Sequence, residues 1–106
     1  MQGERFELSV ELRQALELIS GKWNLLVIGV LQFGPRRHAE LLHLVDGISQ
    51  KMLTQTLRRL EADGLVERTV VSNKPLRVTY ALSARGQTVT PVLHVLCDWI
   101  RTAPAG

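Results

Sequence analysis

The amino-acid sequence predicts a mostly helical α+β domain in which four helices precede a two-stranded hairpin and a further helix follows it. Two observations carry this prediction. Apolar residues recur at helical spacing through the N-terminal part and again near the C-terminus. Between these parts, after Gly64, the pattern changes to a period of two, which is typical of strands. With 106 residues and a hydrophobic fraction of 45%, the chain is long enough for one domain with a modest core.

The N-terminal part of the chain predicts three helices. Residues 10–20 carry apolar side chains at helical spacing. Residues 23–32 are apolar on most of the helix circumference, so this segment is predicted to be the central core helix. Gly34 and Pro35 then break the chain before a short third helix over residues 37–45.

The fourth helix has the clearest helical pattern. It begins at Ser49, a favoured N-cap residue, and ends before Gly64. Leu53, Leu57 and Leu60 follow one another at spacings of four and three, so they share one stripe that faces the core.

The hairpin and the last helix complete the domain. Alternating residues from 66 to 71 predict a strand, residues 72–75 a turn, and residues 77–82 the returning strand. A final helix begins at Ser83, and Pro91 either kinks this helix or marks its true first turn. Two helices joined by a short turn and followed by a hairpin make a winged helix-turn-helix.

Composition and motifs restrict the classes of function. Lys and Arg number 13 against 10 Asp and Glu, and the resulting net charge of +3 permits nucleic-acid binding without requiring it. The one cysteine, Cys97, excludes an intrachain disulfide framework. His38, His43 and His94 lack the spacing of zinc ligands, and no glycine-rich phosphate loop is present, so neither an enzyme nor a cofactor is predicted. The polar start and the short apolar runs predict a cytoplasmic protein without a signal peptide.

The exposed face of the fourth helix is the strongest functional signal. A step of about 100° per residue places Lys51, Gln55 and Arg58 opposite the leucine stripe. No acidic residue lies between Ser49 and Leu60, whereas a solvated helix face more usually mixes both signs of charge. An ordinary basic surface helix explains this face equally well in isolation. The helix-turn-helix setting favours binding to double-stranded DNA.

The predicted DNA contacts form two groups. Side chains that suit base edges in the major groove are Lys51, Thr54, Gln55 and Arg58. Side chains that suit phosphates are Arg36, Arg37, Arg59, Lys74 and Arg77, and backbone N–H groups near Ser49 and Gln50 suit a phosphate at the helix N-terminus. The recognition helix therefore spans residues 49–63 and the wing residues 65–83.

The end helices, residues 10–20 and 84–102, are richer in Leu and Val than one short domain requires, and Trp99 lies near the end of the second. We expect a two-fold homodimer that presents two recognition helices about 34 Å apart. The alternative is a winged-helix module for protein contacts without a DNA target. That module would explain the apolar end helices equally well, but it would not explain the acid-free helix face. A small-molecule effector is compatible with the sequence, which does not identify one.

Five stretches of the chain resemble the HxlR-type winged-helix transcriptional regulators of bacteria and archaea. They are residues 15–23, 34–41, 47–55, 60–68 and 78–83, and the run Gly-Ile-Ser-Gln-Lys-Met-Leu-Thr in the third is the most specific. The resemblance implies a homodimer with the first and last helices at its interface, a recognition helix that begins at Ser49, and binding to a palindromic promoter site.

The resemblance also exposes one departure. Such regulators often carry a cysteine just before the first helix, which some members use to sense oxidants or electrophiles. The matching region here, about Val10, has no cysteine, and Cys97 lies in the last helix instead. Redox sensing through the usual position is therefore not expected, and promoter blocking by a repressor is the simplest mode of regulation for a single domain.

Overall fold

The computed structural model describes residues 9–104. In this range the chain forms six helices and one two-stranded antiparallel sheet, and their order confirms the predicted mostly helical α+β fold. The elements are α1 (Val10–Ser20), α2 (Lys22–Leu31), α3 (His38–Leu44), α4 (Gln50–Ala62), β1 (Val66–Asn73), β2 (Leu76–Leu82), α5 (Ala84–Gln87) and α6 (Thr90–Arg101).

The α2 helix lies at the centre of the domain, as its apolar circumference predicts. It contacts α1, α3, α4, α6 and β2. Val27 and Ile28 are fully buried, and Leu31 is nearly so. The rest of the core comes from the elements that surround α2, through Leu41, Val45, Ile48, Leu53, Leu57, Leu60, Leu65, Val66, Leu82 and Leu93.

The connection between α3 and α4 fixes how the helix-turn-helix is arranged. Gly47 has a φ of 86°, in the left-handed region that glycine tolerates without steric penalty. The buried Val45 and Ile48 flank it and anchor the turn in the core. The Ser49 hydroxyl accepts a hydrogen bond from the backbone N–H of Met52 at 3.1 Å, which confirms Ser49 as the N-cap of α4.

The hairpin projects from this core. Val66 pairs with Leu82 at the buried base, and Asn73 pairs with Leu76 next to the turn, with an irregularity in register between Val70 and Ser72. The backbone of Arg36 pairs with that of Tyr80 on β2, through N···O distances of 2.9 and 2.8 Å. The segment before α3 is thereby attached to the edge of the wing.

The C-terminal part departs from the prediction of one helix that begins at Ser83. It forms the short α5 and the longer α6, and Pro91 lies in the first turn of α6. Proline is well accommodated there because the first turn has no helical acceptor for its missing N–H. Ser83 caps α5 by accepting from the N–H of Gly86 at 2.9 Å. A Cβ on Gly86 would lie 2.0 Å from the carbonyl oxygen of Leu65, so α5 approaches the hairpin base closely only because this residue is glycine.

Candidate nucleic-acid interface

The α4 helix separates a buried apolar stripe from an exposed polar face. Leu53, Leu57 and Leu60 are almost completely removed from solvent. Thr56 is also buried, and its hydroxyl donates to the carbonyl oxygen of Met52 at 2.7 Å, so this polar group is satisfied within the helix. The leucine stripe predicted from the sequence therefore orients the helix.

The polar face brings together five of the predicted DNA-binding residues. They line an open groove of about 520 Å³, and the lining consists of His38, Gln50, Lys51, Thr54, Gln55 and Arg58. Two cations and two amides thus point into one concave surface. Within residues 9–104, no carboxylate pairs with Lys51 or Arg58, so both cations remain available to an anionic partner.

The groove also contains His38, a residue that the sequence analysis did not assign to the site. Its Nε2 lies 3.1 Å from the Oγ1 of Thr54, so a side chain at the start of α3 bonds one on α4. The tautomer of the imidazole decides which of the two groups donates. The sequence signal for His38 is weak, because only the packing of α3 against α4 brings it to Thr54.

The N-terminus of α4 faces outward beside this groove. Ser49 and Gln50 are both exposed, and the Ser49 hydroxyl occupies the N–H of Met52. The backbone N–H groups of Gln50 and Lys51 lie in the first turn, where an α-helix provides no acceptor. These donors are the ones that suit a phosphate.

Arg36 and Arg37 lie where the chain passes from the wing edge into α3. The guanidinium of Arg36 donates to the carbonyl oxygen of Pro35 at 3.0 Å, and its backbone is held by Tyr80. Arg37 is the N-cap residue of α3, and its backbone N–H donates to the Glu40 carboxylate at 2.9 Å. Its side chain is exposed, so the backbone is fixed while the guanidinium faces solvent.

The wing cations occupy two places. Arg68 and Tyr80, near the hairpin base, share a second groove of about 490 Å³ with Thr54 and Arg58, which joins the recognition face to the wing. Lys74 lies in the turn at the tip, and Arg77 pairs with Ser72 close to it; both are exposed. Lys74 and Arg77, which the sequence analysis predicts as phosphate contacts, therefore lie at the tip of the wing and not along α4.

Arg59 is separated from the other predicted residues. A rotation of about 100° from Arg58 carries it around the helix. There it lines a different cavity, with residues of α1, α2 and α5, among them Asn24 and Arg85. The structure thus divides two neighbouring arginines between two surfaces of α4.

The cysteine and the histidine of α6 lie outside the two grooves beside α4. Cys97 is exposed on α6, and His94, one turn earlier, contacts the Oε1 of Gln32 at 2.9 Å. In the described part of the chain, no three His, Cys, Asp or Glu side chains cluster closely enough to hold a metal ion. None of the helices between residues 9 and 104 is both long and apolar enough to cross a membrane.

Comparison with known proteins identifies the family of this chain. Residues 18–104 match the model of the HxlR-like helix-turn-helix family. The HTH-type transcriptional regulator YtcD of Bacillus subtilis is 42% identical over 99 residues, which cover 93% of this chain and 77% of that protein. An HTH-type transcriptional regulator of Methanothermobacter thermautotrophicus is 41% identical over 99 residues, covering 93% of this chain and 74% of its own length.

A solved structure extends this likeness to the fold. The reduced form of the transcriptional regulator YodB from B. subtilis superimposes with a TM-score of 0.83 at 32% identity, over 94% of this chain and 100% of that one. The family match covers the helix-turn-helix, the wing and α6, which are the elements that form the polar groove and carry the exposed apolar face. The chain therefore belongs to the HxlR-like helix-turn-helix family and is a DNA-binding transcriptional regulator.

Proposed function

We propose that the protein acts as a homodimer that binds a palindromic promoter site, with one α4 helix in each of two successive major grooves, and represses transcription by blocking the promoter. The observation that carries this proposal is the exposed face of α4, where five polar residues without a carboxylate line one groove. A B-DNA major groove admits an α-helix and presents base edges and phosphates to such side chains.

The chemistry of the α4 face suggests a division of roles. Arg58 and Lys51 suit the acceptors O6 and N7 of guanine, and Gln55 suits adenine, which presents both a donor and an acceptor. Thr54 suits either a base edge or a thymine methyl group. His38 is a positioning residue in this proposal. Its hydrogen bond to the Thr54 hydroxyl fixes the orientation of that hydroxyl.

Phosphate contacts then fix the helix in register. The N–H groups at the start of α4 and the guanidinium of Arg37 suit the backbone beside the major groove. Arg36 lies at the wing edge, and Lys74 and Arg77 lie at the wing tip, where a basic hairpin suits the adjacent backbone or minor groove.

The homodimer is supported by the exposed apolar side chains of the end helices. Trp99, Val95 and Ile100 of α6 are 69%, 66% and 65% exposed, and Leu16 and Ile19 of α1 are exposed as well. Large apolar side chains exposed on the face of a helix in this way suit a protein contact. In the proposed homodimer a second copy related by a two-fold axis covers these faces, and a palindromic site requires that its α4 helix lie about 34 Å from the first.

Two further aspects follow from regulation at a promoter. The protein acts in the cytoplasm, where bacterial and archaeal DNA is accessible. It acts through binding rather than through catalysis, because the site that the chain presents is a groove of hydrogen-bond donors and cations.

The test is selection of genomic fragments by the purified protein at physiological salt, with the bound fragments sequenced. The proposal predicts recovery of an inverted repeat whose half-sites are about 10 bp apart, centre to centre. Recovery without any shared motif would contradict it and would favour a winged-helix module that contacts proteins.

A further inference from the structure

A second concave site lies on the side of α4 that carries Arg59. It is a cavity of about 690 Å³ between the end of α4, the α1–α2 junction and α5. This volume is within the usual range for small-molecule sites. Its apolar lining consists of Leu18, Leu65 and Val89. The cavity is distinct from the groove in which Lys51 and Arg58 lie.

The cavity contains four charged side chains of both signs. Arg59 and Arg85 are the cations, and Glu17 and Asp63 are the carboxylates. Arg59 and Asp63 are one helical turn apart, a spacing that commonly allows an ion pair. Nevertheless, within residues 9–104 no ion pair or side-chain hydrogen bond joins any of the four to another residue. Their charges are therefore available to a ligand.

A buried amide gives the cavity a fixed polar group. Asn24 is only 5% exposed, and its Nδ2 donates to the carbonyl oxygen of Leu18 at 3.5 Å. No described residue donates to its Oδ1, and because no fully buried side-chain polar atom in this part of the chain lacks a partner, Oδ1 keeps some exposure, on a residue that lines the cavity. A Cβ on Gly21 would lie 2.2 Å from Nδ2, so the amide is packed tightly against this glycine.

We propose that this cavity binds a small amphoteric organic molecule that carries both a carboxylate or phosphate group and an amine. Arg59 and Arg85 suit the anionic group, and Glu17 and Asp63 suit the ammonium. The oxygen of Asn24 accepts a hydrogen bond from the ligand. A ligand with only one sign of charge would be attracted by one pair of side chains and repelled by the other.

The position of the cavity connects this ligand to DNA binding, a consequence that rests on the proposed function. Arg59 lies in the last turn of α4 and Asp63 is its C-cap residue, whereas Glu17 belongs to α1 and Arg85 to α5. A molecule that bridges these elements favours one placement of α4 against its neighbours. Operator and ligand must then change each other's affinity by the same factor.

The experiment uses the DNA-free full chain and two-dimensional NMR of the Asn24 amide and the arginine Nε–H groups. The probes are zwitterionic amino acids from glycine to tryptophan, together with the matched set L-phenylalanine, 3-phenylpropanoate and 2-phenylethylamine. At about 10 mM, which saturates a site with a Kd near 1 mM, zwitterions are expected to shift the resonances of Asn24, Arg59 and Arg85. The analogues that lack one charge should bind about tenfold more weakly.

The variant Arg85→Gln should weaken zwitterion binding about tenfold, while Arg101→Gln, which removes one exposed arginine on α6, should not. Equal Tm values for the two variants show that the fold is retained. The proposal is overturned if no zwitterion shifts these resonances, if the single-charge analogues bind as well, or if Arg85→Gln binds like the parent. Because DNA is absent, each result is independent of whether the operator is bound as proposed.

Discussion

The α4 and α6 helices are of similar length and are both amphipathic, but only α4 has its apolar face covered within the chain. The leucine stripe of α4 lies against α2 and the hairpin, so its polar face is the surface that remains. The α6 helix buries Leu93 alone and exposes Trp99 and Val95. A covered apolar face leaves the polar face of a helix as its free surface, whereas the uncovered apolar face of α6 suits the second chain of the proposed homodimer.

The largest effect should come from the covered side of α4. Leu57 is 2% exposed, so Leu57→Ala should lower the free energy of unfolding by about 2–5 kcal/mol, through lost burial and a cavity. Chemical denaturation measures this change. Met52, 38% exposed on the same helix, provides the control, and Met52→Ala should cost less than about half as much. Equal losses would contradict the orientation of α4.

A substitution on the exposed apolar face of α6 should change the stability of the homodimer instead. Trp99→Glu should weaken the homodimer by at least about 30-fold, because a desolvated tryptophan at an interface commonly contributes 2 kcal/mol or more. Sedimentation velocity over a range of concentrations measures the dimer constant. Arg101→Gln changes the charge by the same amount on the opposite side of α6 and should leave that constant within about threefold. A Trp99→Glu protein that remains dimeric would remove this face from the interface.

Substitutions on the polar side of α4 should lower the affinity for DNA and leave the stability of the fold unchanged. Arg58→Gln should weaken operator binding by about 1–3 kcal/mol if the guanidinium reads a base edge. Lys51→Gln, if the ammonium contacts a phosphate, should also lower the slope of log affinity against log salt by about 0.9. Fluorescence anisotropy with the selected operator measures both quantities, and Arg101→Gln again serves as the control. Unchanged affinity in both α4 variants would show that another surface binds DNA.

The smallest effect concerns His38. His38→Ala and Thr54→Val should each weaken operator binding by about 1 kcal/mol, the usual net contribution of one hydrogen bond. The double variant should lose less than the sum, because the two side chains act through one contact. Additive losses in a double-mutant cycle would show that the histidine does not position the threonine.

The sequence predicts most of this fold because the relevant signals are local. Helical spacing locates α1 to α4, and Ser49 is the predicted N-cap. The break between α5 and α6 is less visible in the sequence, and the close approach of Gly86 to the carbonyl oxygen of Leu65, between α4 and β1, joins residues far apart in the chain. Pro91 alone indicates that a helix starts nearby.

The candidate site is predictable to the extent that it lies on one helix. The leucine stripe defines which side of α4 is buried, and Lys51, Gln55 and Arg58 follow from it. His38 and Arg59 required the structure, because the packing of α3 against α4 sets the surroundings of His38, and a cavity shared with residues of α1, α2 and α5 sets those of Arg59. The spacing of residues along the sequence does not predict contacts between different helices.

In the proposed complex, two chains joined through their apolar end helices place two α4 faces on an inverted repeat. It is tested most directly by titrating the protein onto the selected operator and onto a version whose half-sites are about 5 bp farther apart, half a helical turn. We expect two chains bound per operator and a loss of affinity of at least about 100-fold on the altered spacing, toward non-specific binding. One chain per operator, or equal affinity for both spacings, would contradict it.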